Sequence, residues 1–134
     1  SIGIGLVISR RLGVQIRVDQ IQDADEITTL VEETARSGVI YIGGGVPKNF
    51  IQQTQVIGSI HKNDCSGHDY AIQYTTDTPH FGGLSGCTFE EAISWGKESC
   101  TCSKVQCFCD ATIAIPLVTS ALIGSGVKRV SNVR

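Results

Sequence analysis

The stretch Val39-Ile40-Tyr41-Ile42-Gly43-Gly44-Gly45-Val46-Pro47 decides the fold. Its first four residues are apolar and β-favouring, so they read as a short buried strand, and the three glycines end it. Pro47 suits the first turn of a helix, where its missing N–H costs nothing. That helix is predicted to run to about residue 60. A strand handing over directly to a helix is half of a βαβ unit, so further strand–helix pairs are expected on either side.

Upstream, residues 25–37 carry Ile27, Leu30, Val31 and Ala35 at helical spacing, with Asp23 and Asp25 at the start and Gly38 as the C-terminal cap. Downstream, 61–69 is a polar loop and 70–75 a strand. Residues 76–87, with Gly82, Gly83 and Gly86, form a long loop. A capping box, Thr88-Phe89-Glu90-Glu91, opens a helix over 88–98. Residues 104–109 are a strand, and 111 to about 124 an apolar helix kinked near its start by Pro116. This alternation predicts an α/β fold, a Rossmann-like parallel sheet with helices on both faces and right-handed crossovers. Ligands bind beyond the carboxyl ends of such strands. Here those ends lead into 43–49, 76–87 and the pair Asp110-Ala111.

With 134 residues, 41% hydrophobic and 18% charged, the chain has the composition of one globular domain. A net charge of -2 argues against a nucleic-acid partner. No apolar run reaches the ~18 residues of a membrane span, and no basic region precedes an apolar core at the N-terminus. A cytoplasmic protein with no membrane partner is expected. There is no Met, and Ser1-Ile2-Gly3-Ile4-Gly5 opens the chain already apolar and patterned, so the sequence reads as a fragment or a processed chain. Cys65, Cys87, Cys100, Cys102, Cys107 and Cys109 read as reduced thiols rather than a secreted disulfide framework, because the core needs no staples. Cys100/Cys102 with Cys107/Cys109 could make a thiolate site, but zinc pairs generally keep a wider gap. Cys107 and Cys109 then pack as small hydrophobes on one strand face, and no metal is expected.

Several residues could carry chemistry. Gly43-Gly44-Gly45 is either a tight turn or a bare backbone that approaches an anion at a helix N-terminus. Lys97, in Ser94-Trp95-Gly96-Lys97, is either a solvated cation completing a helix end or an amine nucleophile. Desolvation favours the neutral amine, which forms imines with electrophilic carbons. His61 and His68 fall in the polar loop and are expected to be exposed. His80, in the glycine-rich loop, has the better claim to a site.

Four strings occur in one order: 43–48 (Gly-Gly-Gly-Val-Pro-Lys), 82–86 (Gly-Gly-Leu-Ser-Gly), 89–97 (Phe-Glu-Glu-Ala-Ile-Ser-Trp-Gly-Lys) and 109–111 (Cys-Asp-Ala). Together they resemble the C-terminal part of deoxyhypusine synthase, over nearly the whole chain. The resemblance implies that residues 1–134 are the C-terminal part of a single NAD-binding α/β domain. It implies an NAD-dependent 4-aminobutyl transferase in the full-length protein. Spermidine is oxidised to an imine, Lys97 attacks, 1,3-diaminopropane leaves, and an acceptor amine takes the butylamine group before the retained hydride reduces the product. Lys97 is then the catalytic nucleophile. Glu91, Trp95, Gly82, Gly83 and Asn49 would bind the polyamine, an indole face attracting a cation. Gly44, Thr76, Asp77, Asp110 and Ala111 would bind NAD. Glu91 is also the capping-box acid, and the two roles compete for one carboxylate.

Two positions depart from the family pattern. Asn49 stands where the protein-modifying enzyme has a His, and Leu84 where it has an Asp. A lost imidazole and a lost carboxylate weaken recognition of a cationic amine and remove a candidate base. The strings Pro47-Lys48-Asn49-Phe50 and 80–86 look more like the bacterial deoxyhypusine synthase-like branch. The acceptor is therefore a protein lysine, giving deoxyhypusine, or a free amine such as putrescine, giving homospermidine. A different amine or carbonyl substrate, or a non-catalytic assembly fragment, are the other readings. The resemblance also implies a homotetramer.

Overall fold

The computed structural model of the chain describes residues 2–62 and 67–128. Helix α1 (Ile2–Arg11) and helix α2 (Gln20–Glu33) precede strand β1 (Gly38–Ile42). Helix α3 (Gly45–Lys62) leads to β2 (His68–Tyr74). A loop with 3-10 turns at Pro79–Phe81 and Leu84–Gly86 leads to α4 (Phe89–Ser94), β3 (Glu98–Cys107) and α5 (Ala111–Gly124). The three strands are parallel, in the order β1-β2-β3. The α/β fold read from the sequence is therefore the fold observed. Among the described residues no helix is long and apolar enough to cross a membrane.

Boundaries moved where a local interaction outweighed the pattern. Asp19 caps α2 by accepting from the Gln22 amide at 3.0 Å, so the helix starts earlier than Asp25 and ends at Glu33. Gly38 is the first residue of β1 instead of a cap. α4 stops at Ser94, because Gly96 takes a left-handed conformation (φ 70°) that reverses the chain into β3. Lys97 thus precedes a strand and does not end a helix. β3 begins at Glu98, six residues before the expected 104, and closes at Cys107, which leaves Cys109 outside it. α1 had no counterpart in the sequence reading, and α5 continues through Pro116. Cys65, Asn63 and Asp64 lie outside the described residues.

Consecutive strand order with right-handed crossovers puts α3 and α4 on the same face. The core sits there: Tyr41, Ala71 and Phe89, with Val39, Ile51 and Cys102 against them. α2 packs on α3 from outside. The opposite face is open, with Ile40 62% and Val105 61% exposed at register with Ile72. Helices on both faces were expected; those described cover one.

His68 corrects another expectation. It is buried on β2 instead of exposed in a loop, with Ser37 Oγ and Gln55 Nε2 at 2.9 and 3.1 Å from its Nδ1. Burial pushes its pKa down. His61 lies on α3 with Glu32 at 3.0 Å, and His80 is exposed in the first 3-10 turn.

Gly67 enters β2 at φ 84°, and a Cβ there would lie 2.4 Å from the Glu98 carbonyl carbon. Gly67→Ala should destabilise the full-length protein by at least the ~1–3 kcal/mol of a strained backbone conformation, read as a fall in the urea midpoint. An unchanged midpoint would show that β2 and β3 do not approach this closely.

Candidate functional site

α3 presents Lys48, Gln52 and Gln55 to the sheet at i, i+4 and i+7, one stripe of one helix face. All three are buried. Burying such groups is costly unless each is hydrogen-bonded. Lys48 Nζ donates to Gln73 Oε1 (3.0 Å) and to the Cys87 carbonyl (2.7 Å), and lies over the Tyr41 and Phe89 rings at 5.8 and 5.9 Å. Gln73 is held in turn, taking Gln106 Nε2 (3.3 Å) and donating to the Ser85 carbonyl (2.7 Å). Lys48 is 2% exposed, and burial pushes its ammonium below the usual lysine range, partly offset by Cys87 and Glu98.

Lys97 lies next to this frame. Its backbone N–H donates to the Ala92 carbonyl at 3.0 Å and its carbonyl accepts from His68 N at 3.3 Å. The residue is 6% exposed, and its Nζ donates to Asn49 Oδ1 at 3.4 Å. Asn49 Oδ1 also takes Gln53 Nε2 at 3.3 Å. The Trp95 ring, exposed to solvent, stands 6.0 Å from Lys97 Nζ.

A cavity of about 120 Å³ opens beside these residues, lined by Pro79, Gly82, Gly83, Leu84, Cys87 and Glu91. The two 3-10 turns shape its wall, and Gly86 closes them. A Cβ on Gly86 would come within 2.6 Å of the Thr78 carbonyl oxygen. Thr88 caps α4 by accepting from the Glu91 amide at 3.2 Å. The Glu91 carboxylate meets the Cys87 thiol, whose pKa is raised by burial and then by that contact. Glu91 is the one charged group in this lining.

The third group stands at the carboxyl edge. Gly44 (φ 73°) follows β1, Thr76 and Asp77 follow β2, and Asp110 and Ala111 follow β3. The Gly43 amide donates to the Tyr74 carbonyl at 2.8 Å and the Thr75 amide to the Cys107 carbonyl at 3.0 Å, so the three ends stay in step. Asp77 hydrogen-bonds Ser85 Oγ. Asp110 caps α5, accepting from Thr112 N and Oγ1 at 2.8 and 2.6 Å, and these bonds lower its pKa. Lys97, Asn49 and Trp95 are thus in contact, and Glu91, Gly82 and Gly83 share the cavity. Lys48, Gln73 and Ser85 connect that cavity to Asp77. Asp110 and Ala111 share the sheet edge with Asp77 and Gly44.

Sequence reasoning missed Lys48, Gln73, Cys87 and Glu98. Lys48 had a signal: a cation in the first turn of a helix, one turn from Gln52 and two from Gln55, three polar residues on the face turned to the sheet.

The family model for deoxyhypusine synthase matches residues 1–122. The chain belongs to the deoxyhypusine synthase family. It is 66% identical over 122 residues to a probable deoxyhypusine synthase 2 of Methanosarcina acetivorans, covering 91% of this chain and 35% of the relative. A probable deoxyhypusine synthase 2 of Archaeoglobus fulgidus is 55% identical, over 92% of this chain and 41% of that protein. A deoxyhypusine synthase-like protein of Nostoc sp. is 38% identical, over 92% of this chain and 34% of that protein. The chain therefore spans well under half the length of these relatives, and their bacterial-type branch is among them.

The buried Lys48 has a pH signature. A lysine whose folded pKa lies below its unfolded value holds fewer protons when folded, so stability rises with pH between the folded pKa and about 10.5. Lys48→Met in the full-length protein should remove that part of the slope, read as the difference in urea midpoint between wild type and variant across pH 7 to 10. Parallel curves would mean that Lys48 is hydrated.

Proposed function

We propose that this chain carries the amine-transfer centre of an NAD-dependent 4-aminobutyl transferase. It would take the butylamine group of spermidine onto Lys97 and pass it to a protein lysine, with deoxyhypusine as product. The observation that carries this reading is the enclosed Lys97 amine, aimed at Asn49 and faced by Trp95, in a chain of this family.

The carboxyl edge fits a dinucleotide. Gly43 and Gly44 offer bare backbone at positive φ beside the α3 N-terminus, and a Cβ on Gly44 would meet the Pro47 ring at 3.0 Å. Gly44, Thr76, Asp77, Asp110 and Ala111 would hold NAD, which when bound takes a hydride from the substrate and returns it to the product. The remaining work falls to the chain. Lys97 Nζ adds to the oxidised carbon of spermidine. The bond from that carbon to the departing nitrogen breaks, and 1,3-diaminopropane leaves with the proton that Lys97 gave up. The aminobutyl group stays on Lys97 as an imine until the acceptor amine adds to the same carbon and displaces the lysine. Glu91 pairs with the ammonium end of the substrate, and the Trp95 face attracts a second cation. Gly82 and Gly83 keep the wall free of side chains. Asn49 orients Lys97 through its carbonyl oxygen; an amide takes no proton at neutral pH, so the proton moves between the amines themselves.

A free amine such as putrescine is the second acceptor reading, with homospermidine as product. It is favoured by Asn49 and Leu84, which leave Glu91 as the one charge in the cavity lining.

Full-length protein incubated with labelled spermidine and NAD, then reduced with borohydride, should carry label on the peptide containing Lys97. Lys97→Arg should carry none. An unlabelled wild type under conditions where NAD binds would overturn the transfer reading, and absence of NAD binding would favour an assembly role. With labelled enzyme in hand, chasing with putrescine or with a lysine-bearing protein substrate separates the two acceptors.

A further inference from the structure

Two side-chain bonds tie the 97–98 segment to α3. Lys97 reaches Asn49, and one residue on, Glu98 Oε1 takes Gln52 Nε2 at 3.4 Å. The same Oε1 takes the Tyr41 hydroxyl at 2.8 Å. Asn49 and Gln52 are one helical turn apart, so consecutive residues at the head of β3 engage consecutive turns of one helix. Glu98 is 1% exposed, and its Oε2 has no hydrogen-bond partner among the described residues. A carboxyl group in so dry a place, with one oxygen idle, is expensive to keep. The Lys97 backbone is already fixed to α4 and β2 through Ala92 and His68. What that backbone pairing leaves open is the spacing between Lys97 and Asn49, which depends on how α3 seats against β3.

We propose that Glu98 is a positioning residue for Lys97: its hydrogen bonds to Tyr41 and Gln52 lock α3 and β1 onto the head of β3 and set the Lys97 amine against Asn49. This rests on the transfer role of Lys97 proposed above. The groups facing the Glu98 carboxyl are Tyr41 on β1, Lys48 and Gln52 on α3, and Cys102 and Lys104 on its own strand. His68 is its register partner on β2. Burial raises the Glu98 pKa, and burial with the neighbouring Glu98 raises that of Tyr41, so the Tyr41 hydroxyl stays a donor throughout the working pH range. Because both bonds use Oε1 and Oε2 is idle, an amide reproduces the lock.

The test uses full-length wild type, Glu98→Gln and Glu98→Ala, with two readouts. The first is the rate of borohydride-trapped adduct with spermidine and NAD, next to NAD affinity. The second needs no turnover: the rate at which an amine-acylating reagent modifies Lys97 relative to the exposed Lys128, by mass spectrometry. Glu98→Ala should lose on the order of a hundredfold in trapping, the effect of a ~1 Å misplacement, with NAD affinity unchanged, and its Lys97 should acylate several-fold faster. Glu98→Gln should restore most of the trapping rate and the slow acylation. Trapping in Glu98→Ala at the wild-type rate overturns the proposal, and so does equal failure of both variants together with lost NAD affinity. If the wild type traps nothing, the transfer reading fails by itself, and acylation decides: dependence on Glu98 upholds the positioning, equal rates in all three proteins overturn it.

Discussion

The structure depends on an amide-rich seam between α3 and the sheet. Lys48, Gln52 and Gln55 occupy the face that a crossover helix normally fills with Leu, Ile and Val, and they meet Gln73, Glu98, Tyr41 and His68. Each such bond adds only about 0.5–1.5 kcal/mol net, yet a lost partner leaves a buried polar group that costs about 1–3 kcal/mol. Apolar side chains tolerate sliding by fractions of an ångström. A donor at 2.7 Å from its acceptor does not. The seam therefore contributes register more than strength, and register is what a buried amine needs.

In the transfer proposed above, that seam is what lets an amine at the wrong end of a strand serve a site at the right end. Lys97 belongs to the entry of β3, whereas ligands of open α/β sheets lie beyond strand exits. Its chain of methylenes carries Nζ to Asn49, which sits in the second turn of α3, just after the exit of β1. Lys48, next to Asn49, reaches Gln73 and the Cys87 carbonyl, and Gln73 reaches the loop that follows β2. The helix, more than the sheet, brings the two ends together.

Much of this was legible from residue types. The strand at 39–42, the glycine turn, Pro47 in the first turn of α3 and the capping Thr88 all rest on local chemistry, and local chemistry is written in sequence. The strings around Gly82 and Lys97 carried the family. Less visible were features set by tertiary contact. Asp19 was overlooked because the apolar spacing begins later than the cap. His68 looked solvated because its neighbours at 63–66 are polar, yet its own position pairs with Glu98 across the sheet. Gly96 ended α4 where the apolar pattern continued, since a left-handed residue overrides periodicity. The polar seam was hidden for the same reason that it is informative: Gln and Lys on a helix are ordinarily solvent-facing, and only the sheet shows which way α3 turns.

The apolar surface completes the physical picture. α5 is hydrophobic around most of its circumference, with Ile113, Leu117 and Ile123 exposed, and a helix of that composition belongs in a core. Ile40, Ile42 and Val105 form a matching apolar row on the open face of the sheet. In a chain that spans well under half the length of its relatives, these apolar faces are surface among the described residues alone, whereas the seam under α3 is polar and tightly registered. The seam has a consequence for specificity. The hydrogen-bonded side is rigid and cannot repack around a new ligand, whereas apolar surfaces adapt with little penalty. In the transfer proposed above, selectivity for the amine falls to the few side chains that line the cavity without being tied into the seam. Leu84 and Glu91 are the two that vary size and charge there, and Asn49 lies at the junction between the adaptable and the fixed.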